Sequence, residues 1–183
     1  MYSLLIDTHL SDTVIVLYKD GKQIDISIIN SKSGHSEVAM PTLFSILEKN
    51  KLDTKDINEI IAVNGPGSFT GVRIGVTIAK TLAYTLNIPI KTISALEVKA
   101  INIVGDKKAS ISDRNGKYVG SFNGDNILKG EYAYISNSDL KGENYIEEVV
   151  IDYNKVYEFT AKLSALNPHD VKPLYVKKIE VEK

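Results

Sequence analysis

Three short apolar runs open the chain, each too short for a helix. Tyr2 to Ile6 is continuous and ends at Asp7, and Thr13 to Tyr18 is rich in β-branched residues. Gln23 to Ile29 alternates, with Ile24, Ile26 and Ile28 on one side. Lys19-Asp20-Gly21-Lys22 between the last two is a hairpin signal, so the pattern predicts a three-stranded antiparallel meander. The period then changes. Met40, Leu43, Phe44 and Leu47 recur at helical spacing and predict a helix over Ser36–Lys49. Ser33 or Ser36 can cap its start, and Glu37 suits the positive end of its dipole. After a polar link, Leu52 to Asp56, come a strand over Glu59 to Val63, a glycine-rich turn and a helix to about Leu86. Asn87-Ile88-Pro89 stops that helix before a strand over Ile90 to Ile93. This order, βββ-α-β-α-β, predicts an α/β fold: a mixed sheet with helices packed on it.

Beyond residue 100 the pattern is weaker. Ala109 to Ser112 and Tyr118 to Phe122 read as a hairpin through Arg114-Asn115-Gly116. Glu131 to Ile135 and Tyr145 to Ile151 read as strands, Tyr153 to Leu166 as a helix, and Pro168 and Pro173 bracket an extended tail. The chain therefore divides into an N-terminal lobe, residues 1–100, and a smaller C-terminal lobe, residues 101–183.

Composition narrows the function classes. The 183 residues are 43% hydrophobic, enough for an ordinary core, and carry a net charge of -1, so no global basic field attracts nucleic acid. Cysteine is absent, which removes disulfide and thiolate chemistry and suits a reducing cytoplasm. The opening residues lack a signal-peptide pattern, and no run approaches the roughly 20 apolar residues of a membrane span. A cytoplasmic protein is the expectation.

The densest chemical signal is Asn64-Gly65-Pro66-Gly67-Ser68-Phe69-Thr70-Gly71-Val72-Arg73-Ile74-Gly75. Strand, glycine turn and helix start are the parts of an anion-binding loop, so Gly65, Gly67, Ser68, Thr70 and Arg73, with Asp7 at the end of the first strand, form a candidate anion or nucleotide site. The spacing is neither a Walker A loop nor a dinucleotide fingerprint, and the glycines serve equally as a tight structural joint. Gly71, Gly75, Ala79 and Ala83 form a small-residue ridge flanked by Val72, Val76, Ile78 and Leu82. Such a ridge admits a close neighbour, either this protein's own sheet or helix or a partner's helix. His9, His35 and His169 lie too far apart in sequence for a zinc pair, and Ser68 lacks the context of a nucleophile. Asp53, Asp56 and Glu59 read as a solvated acidic loop, and Lys177-Lys178 as a surface pair too small for a nucleic-acid patch.

Gly65 to Gly75, continued by Ala79-Lys80 and Leu82-Ala83, resembles the TsaB (YeaZ) family. So do Leu5-Ile6-Asp7-Thr8, His35-Ser36-Glu37, and Ile88-Pro89 leading to Ser94-Ala95-Leu96-Glu97. Asp113 to Tyr118 and Pro173-Leu174-Tyr175-Val176 resemble weaker parts of the same pattern. The resemblance covers residues 1–100 and implies an actin/Hsp70/sugar-kinase-like fold of two RNase H-like halves, the second reduced here. It implies a role in making N6-threonylcarbamoyladenosine at position 37 of tRNA, as partner of the catalytic paralogue TsaD, with the ATPase TsaE joining them. The helices over 36–49 and 69–86 would pair with TsaD, or with a second copy when alone. Candidate interface residues are Met40, Leu43, Phe44, Leu47, Phe69, Gly71, Val72, Gly75, Ala79, Leu82 and Ala83. The TsaD pattern His-x-x-x-His corresponds here to Ala95 and Lys99, and the first-strand loop lacks the glycine of nucleotide-binding members. No catalytic residue, no metal site and no cofactor of its own is expected; ATP and metal would belong to the partner subunits, and tRNA would be reached through the complex. The alternative is an independent enzyme of the same superfamily, ATPase, kinase or metallopeptidase.

Overall fold

The computed structural model describes residues 1–31, 34–140 and 144–177; Ser33 and Lys178 lie outside these. The meander forms as predicted from β1 (Tyr2–Asp7), β2 (Asp12–Lys19) and β3 (Lys22–Asn30). Helix α1 (His35–Lys49), β4 (Ile57–Val63), α2 (Phe69–Leu86), β5 (Ile90–Ile93) and a short α3 (Ala95–Ala100) follow. Their strands make one five-stranded sheet in the order β3-β2-β1-β4-β5. The meander pairs antiparallel, while β1-β4 and β4-β5 are parallel.

Residues of β1 and β4 alternate between two apolar layers, as period-2 geometry requires. Leu4, Ile6, Ile60 and Ala62 face α1 and α2, where Leu43, Leu47, Val72, Val76 and Ala79 cover them. Leu5, Ile61 and Val63 face the other way, toward α3 and a second sheet. That sheet is β6 (Lys107–Asp113), β7 (Gly116–Phe122) and β8 (Ala133–Ser136), antiparallel throughout. Ala109, Ile111 and Phe122 project from it into the same layer as Leu5 and Ile61, so one apolar cluster joins the two sheets.

Several boundaries differ from the pattern. Helix α1 begins at His35 behind Gly34, whose φ is 112°, and no side chain caps it; Ser36 lies within its first turn. Residues 145–151 form no strand. They touch β6 through Ile146, which accepts from Ser110 N at 2.9 Å and donates to Lys108 O at 2.8 Å. Helix α4 (Tyr153–Thr160) ends six residues before Leu166, because the chain turns there to bond Ile90 through Leu166 N at 2.8 Å. Glu59 is not solvated: it is buried against Lys91 Nζ at 3.0 Å and accepts from Ser3 Oγ at 3.2 Å. The extended tail runs back over the first lobe, and Val171 fills the layer beneath α2.

Candidate functional site

The glycine loop is built around the turn between β1 and β2. Gly65 holds a φ of 101°, a conformation that glycine enters without a Cβ penalty. Ser68 then caps α2, its Oγ accepting from Gly71 N at 3.3 Å, and its own N–H donates to His9 O at 2.7 Å. Thr8 Oγ1 donates to Gly71 O at 2.7 Å. The fit is close enough that a Cβ on Gly67 would lie 2.2 Å from His9 O, one on Gly71 would lie 2.2 Å from Thr8 O, and one on Gly75 would lie 2.3 Å from Thr8 Oγ1. Gly67, Gly71 and Gly75 are there because Thr8 and His9 lie where a side chain would go.

This geometry shows how the residues of the expected anion site are engaged within the chain. The Ser68 and Gly71 amides bond within the chain, and the space beside Gly67 is filled by His9. Thr70 is exposed, and Arg73 points elsewhere. Asp7 is buried and accepts from His9 N at 3.0 Å and His9 Nδ1 at 2.6 Å. The Asp7–His9 pair instead faces a cleft of about 350 Å³, which Asp12, Lys99, Glu147 and Tyr153 also line. Burial, together with the negative charge of Asp7, pushes the Tyr153 phenol well above its ordinary value. Burial also lowers the Lys99 ammonium, against the pull of Glu147. Lys99 Nζ donates to Ser110 O at 2.8 Å and Glu147 O at 2.6 Å, tying α3 to the second sheet. Ala95 is sealed at the other end of α3, its N–H on Gly65 O at 2.7 Å. Among the described residues, no group of three His, Asp or Glu side chains is placed to hold a metal ion.

The proposed interface residues divide by face. Gly71, Gly75, Ala79, Ala83 and Val72 are buried within the chain, as are Leu43 and Leu47. The small-residue ridge therefore admits this protein's own β1-β2 turn and sheet rather than a partner's helix, which corrects its assignment to a docking surface. Phe44 and Phe69 are each 52% exposed, with Met40 and Leu82 half-buried. These four and exposed Tyr84 are among the apolar side chains that α1 and α2 leave partly exposed.

One participant was not singled out from the sequence. Tyr175, in the tail, lies over the start of α2: its ring centroid is 5.6 Å from that of Phe69, and its hydroxyl accepts from Arg73 Nε at 2.7 Å. The Arg73 guanidinium stacks 3.8 Å from the Phe69 ring centre. The tail is held along α2 by Lys80 Nζ, which donates to Val171 O at 2.8 Å, and beside the glycine loop by Leu174 N on Asn64 O at 2.7 Å. The Pro-x-Tyr element was the signal in the sequence, without any indication of what the tyrosine touches.

Comparison with known proteins gives consistent matches. Residues 27–118 match a family profile described as TsaD, tRNA N6-adenosine threonylcarbamoyltransferase. The tRNA threonylcarbamoyladenosine biosynthesis protein TsaB of Bacillus subtilis is 44% identical over 102 residues, 56% of this chain and 44% of that protein. The TsaB of Buchnera aphidicola subsp. Schizaphis graminum is 32% identical over 162 residues, 87% of this chain and 73% of that protein. The chain thus spans about half the length of the first of these relatives and about three quarters of the second. A solved structure, YeaZ from Pseudomonas aeruginosa, superposes with a TM-score of 0.80 at 18% identity, covering 95% of this chain and 99% of that one. This last likeness shows the fold alone, and it agrees with the mixed α/β sheet expected from the order of elements.

Proposed function

The chain belongs to the TsaB (YeaZ) family, and from that premise we propose that it is a non-catalytic subunit in the biosynthesis of tRNA N6-threonylcarbamoyladenosine. It holds a TsaD-type catalytic paralogue through the outer faces of α1 and α2. A TsaE-type ATPase completes the assembly, tRNA is reached through the complex, and ATP and metal belong to the partner subunits. The isolated chain pairs with a second copy through the same faces, in the cytoplasm.

The observation that carries this reading is the state of α3. Where the catalytic pattern needs two imidazoles, Ala95 is sealed against Gly65, and the Lys99 ammonium is spent on two backbone carbonyls. An ammonium offers hydrogen-bond donors and no lone pair, so it cannot bind a metal in place of a neutral imidazole. The outward Phe44 and Phe69 support the partner role, because exposed aromatic side chains are the usual anchors of interfaces.

Reconstitution tests this. The purified chain, a TsaD-type paralogue, a TsaE-type ATPase, tRNA and a threonylcarbamoyl donor are combined, and modified adenosine is measured by mass spectrometry. Modification is expected only with the chain and the paralogue together, and none with the chain alone. Product formed at full rate without this chain would refute the role. The alternative, an independent nucleotide-binding enzyme, draws its support from the cleft at Asp7 and His9. Calorimetric titration of the isolated chain with ATP and Mg²⁺ separates the two, since stoichiometric binding with turnover would favour the enzyme.

A further inference from the structure

The tail changes what the α2 surface offers. Phe69, Arg73, Lys80 and Tyr84 lie on one flank of α2, and the tail runs along it. Helix α2 contains no Asp or Glu, and its charged residues are the cations Arg73 and Lys80. Lys80 is committed to the carbonyls of His169 and Val171. Arg73 is not committed in this way. Among the described residues its Nε is the one guanidinium nitrogen with a hydrogen bond, to Tyr175 Oη, and the group lies over the Phe69 ring, 3.8 Å from its centre, with the Tyr175 ring centre 5.7 Å away. All three side chains are exposed.

A guanidinium fixed at Nε and stacked on a ring has lost its rotational freedom at no cost to its outer edge. The two Nη groups remain as a planar fork whose geometry matches a carboxylate. The other exposed or half-buried residues along α2 include Ile74, Thr77, Ile78, Thr81 and Leu82, which are uncharged, with Ile78 and Leu82 also packed on the layer beneath. The complementary surface is therefore an apolar helix face carrying one carboxylate toward its end.

We propose that the partner surface extends beyond the helices onto the tail, and that Phe69, Arg73 and Tyr175 form a clamp for a carboxylate borne by an otherwise apolar helix of the catalytic paralogue. This rests on the partner role proposed above. The tail thereby becomes a determinant of partner choice. Arg73 supplies the charge, while Tyr175 orients it and adds a second ring. Aromatic and arginine side chains grouped in this way are the composition of interface hot spots.

The test is calorimetric binding of the whole chain to a purified TsaD-type paralogue at about 50 and about 300 mM NaCl, which spans strong and weak screening. Wild type, Arg73→Gln, Arg73→Lys and Tyr175→Ala are compared, each with its melting temperature. Arg73→Gln is expected to weaken binding by tenfold or more at low salt and to flatten the salt dependence. Arg73→Lys is expected to keep the salt dependence while losing part of the affinity, and Tyr175→Ala to weaken binding without altering the helix faces. Arg73→Gln binding within twofold of wild type would overturn the clamp, as would a loss that leaves the salt dependence unchanged. Sedimentation of the same chains tests the other occupant: variants that lose self-association but bind the paralogue normally would place a second copy on the clamp instead, and overturn it. A wild-type chain that fails to bind the paralogue at all would remove the partner role and the clamp together, a result distinct from normal wild-type binding with unaffected variants.

Discussion

The two sides of α2 solve opposite problems with different residue types. On the inner side Gly71 and Gly75 have no side chain because the Thr8–His9 turn lies within 2.3 Å of where a Cβ would be. On the outer flank, Phe69 and Arg73 are large and exposed, and stack on each other beside Tyr175 of the tail. The inner side contributes to stability through closeness, so any added atom costs. The outer flank contributes little to stability, so its bulky residues are available for recognition. A small-residue stripe along a helix is thus evidence of a close neighbour, and here that neighbour is the protein's own first turn.

Substitutions can break or sharpen this contrast. Gly71→Val puts atoms against a backbone oxygen that cannot rotate away, and should cost about 3 kcal/mol by chemical denaturation. Helix propensity argues the other way for Gly71→Ala, which gains about 1 kcal/mol in an open helix. A stabilised Gly71→Ala protein would therefore show that Thr8 is not where it is described. Gly75→Ala meets a hydroxyl rather than backbone, so its cost of about 2 kcal/mol should fall by about half in a Thr8→Ala background. Gly71→Val should show no such rescue, and a double-mutant cycle distinguishes the two. Val171→Ala, beneath the tail, should cost about 1.5 kcal/mol, because it removes buried methyl groups. Tyr175→Phe keeps the ring and removes the hydroxyl that Arg73 Nε donates to, and should shift the midpoint by less than about 0.5 kcal/mol. A loss of more than that would mean the outer flank supports the fold as the inner side does.

The first lobe was legible because its local signals and its tertiary environment agree. The Lys19–Lys22 turn and the helical spacing of Met40 to Leu47 each encode an element that formed, while the alternation in β3 gave the strand although Ile24 and Ile28 on that side are exposed. The second lobe was less legible. Tyr145 to Ile151 has the β-branched residues of a strand, yet it meets β6 at one position, and strand propensity cannot report a missing partner. Helix α3 was overlooked although its signature is present: Ser94 and Glu97 form a capping box, with Glu97 N on Ser94 Oγ at 3.0 Å. Glu59 was misread because its buried partner, Lys91, lies on a neighbouring strand far along the chain. The site was legible in the same uneven way. The ridge could be read as a ridge, but periodicity gives a face without naming its neighbour. Tyr175 stood out in its Pro-x-Tyr element, but its place over α2 was out of reach, because nothing local ties it to a helix that ended at Leu86.

Val171 has a consequence for the order of events during synthesis. The strands and helices it covers are complete once β5 has been made at residue 93, but Val171 comes 78 residues later. At translation rates of roughly 5–20 residues per second, the apolar seat under α2 stands open for about 4–16 seconds while the second sheet is still being built. During that interval the nascent chain carries a bare hydrophobic slot beneath α2, and Tyr175 has not yet arrived over Phe69. Val171 and Tyr175 lie four residues apart on one extended segment, so the residue that closes the slot and the residue that covers Phe69 leave the ribosome together.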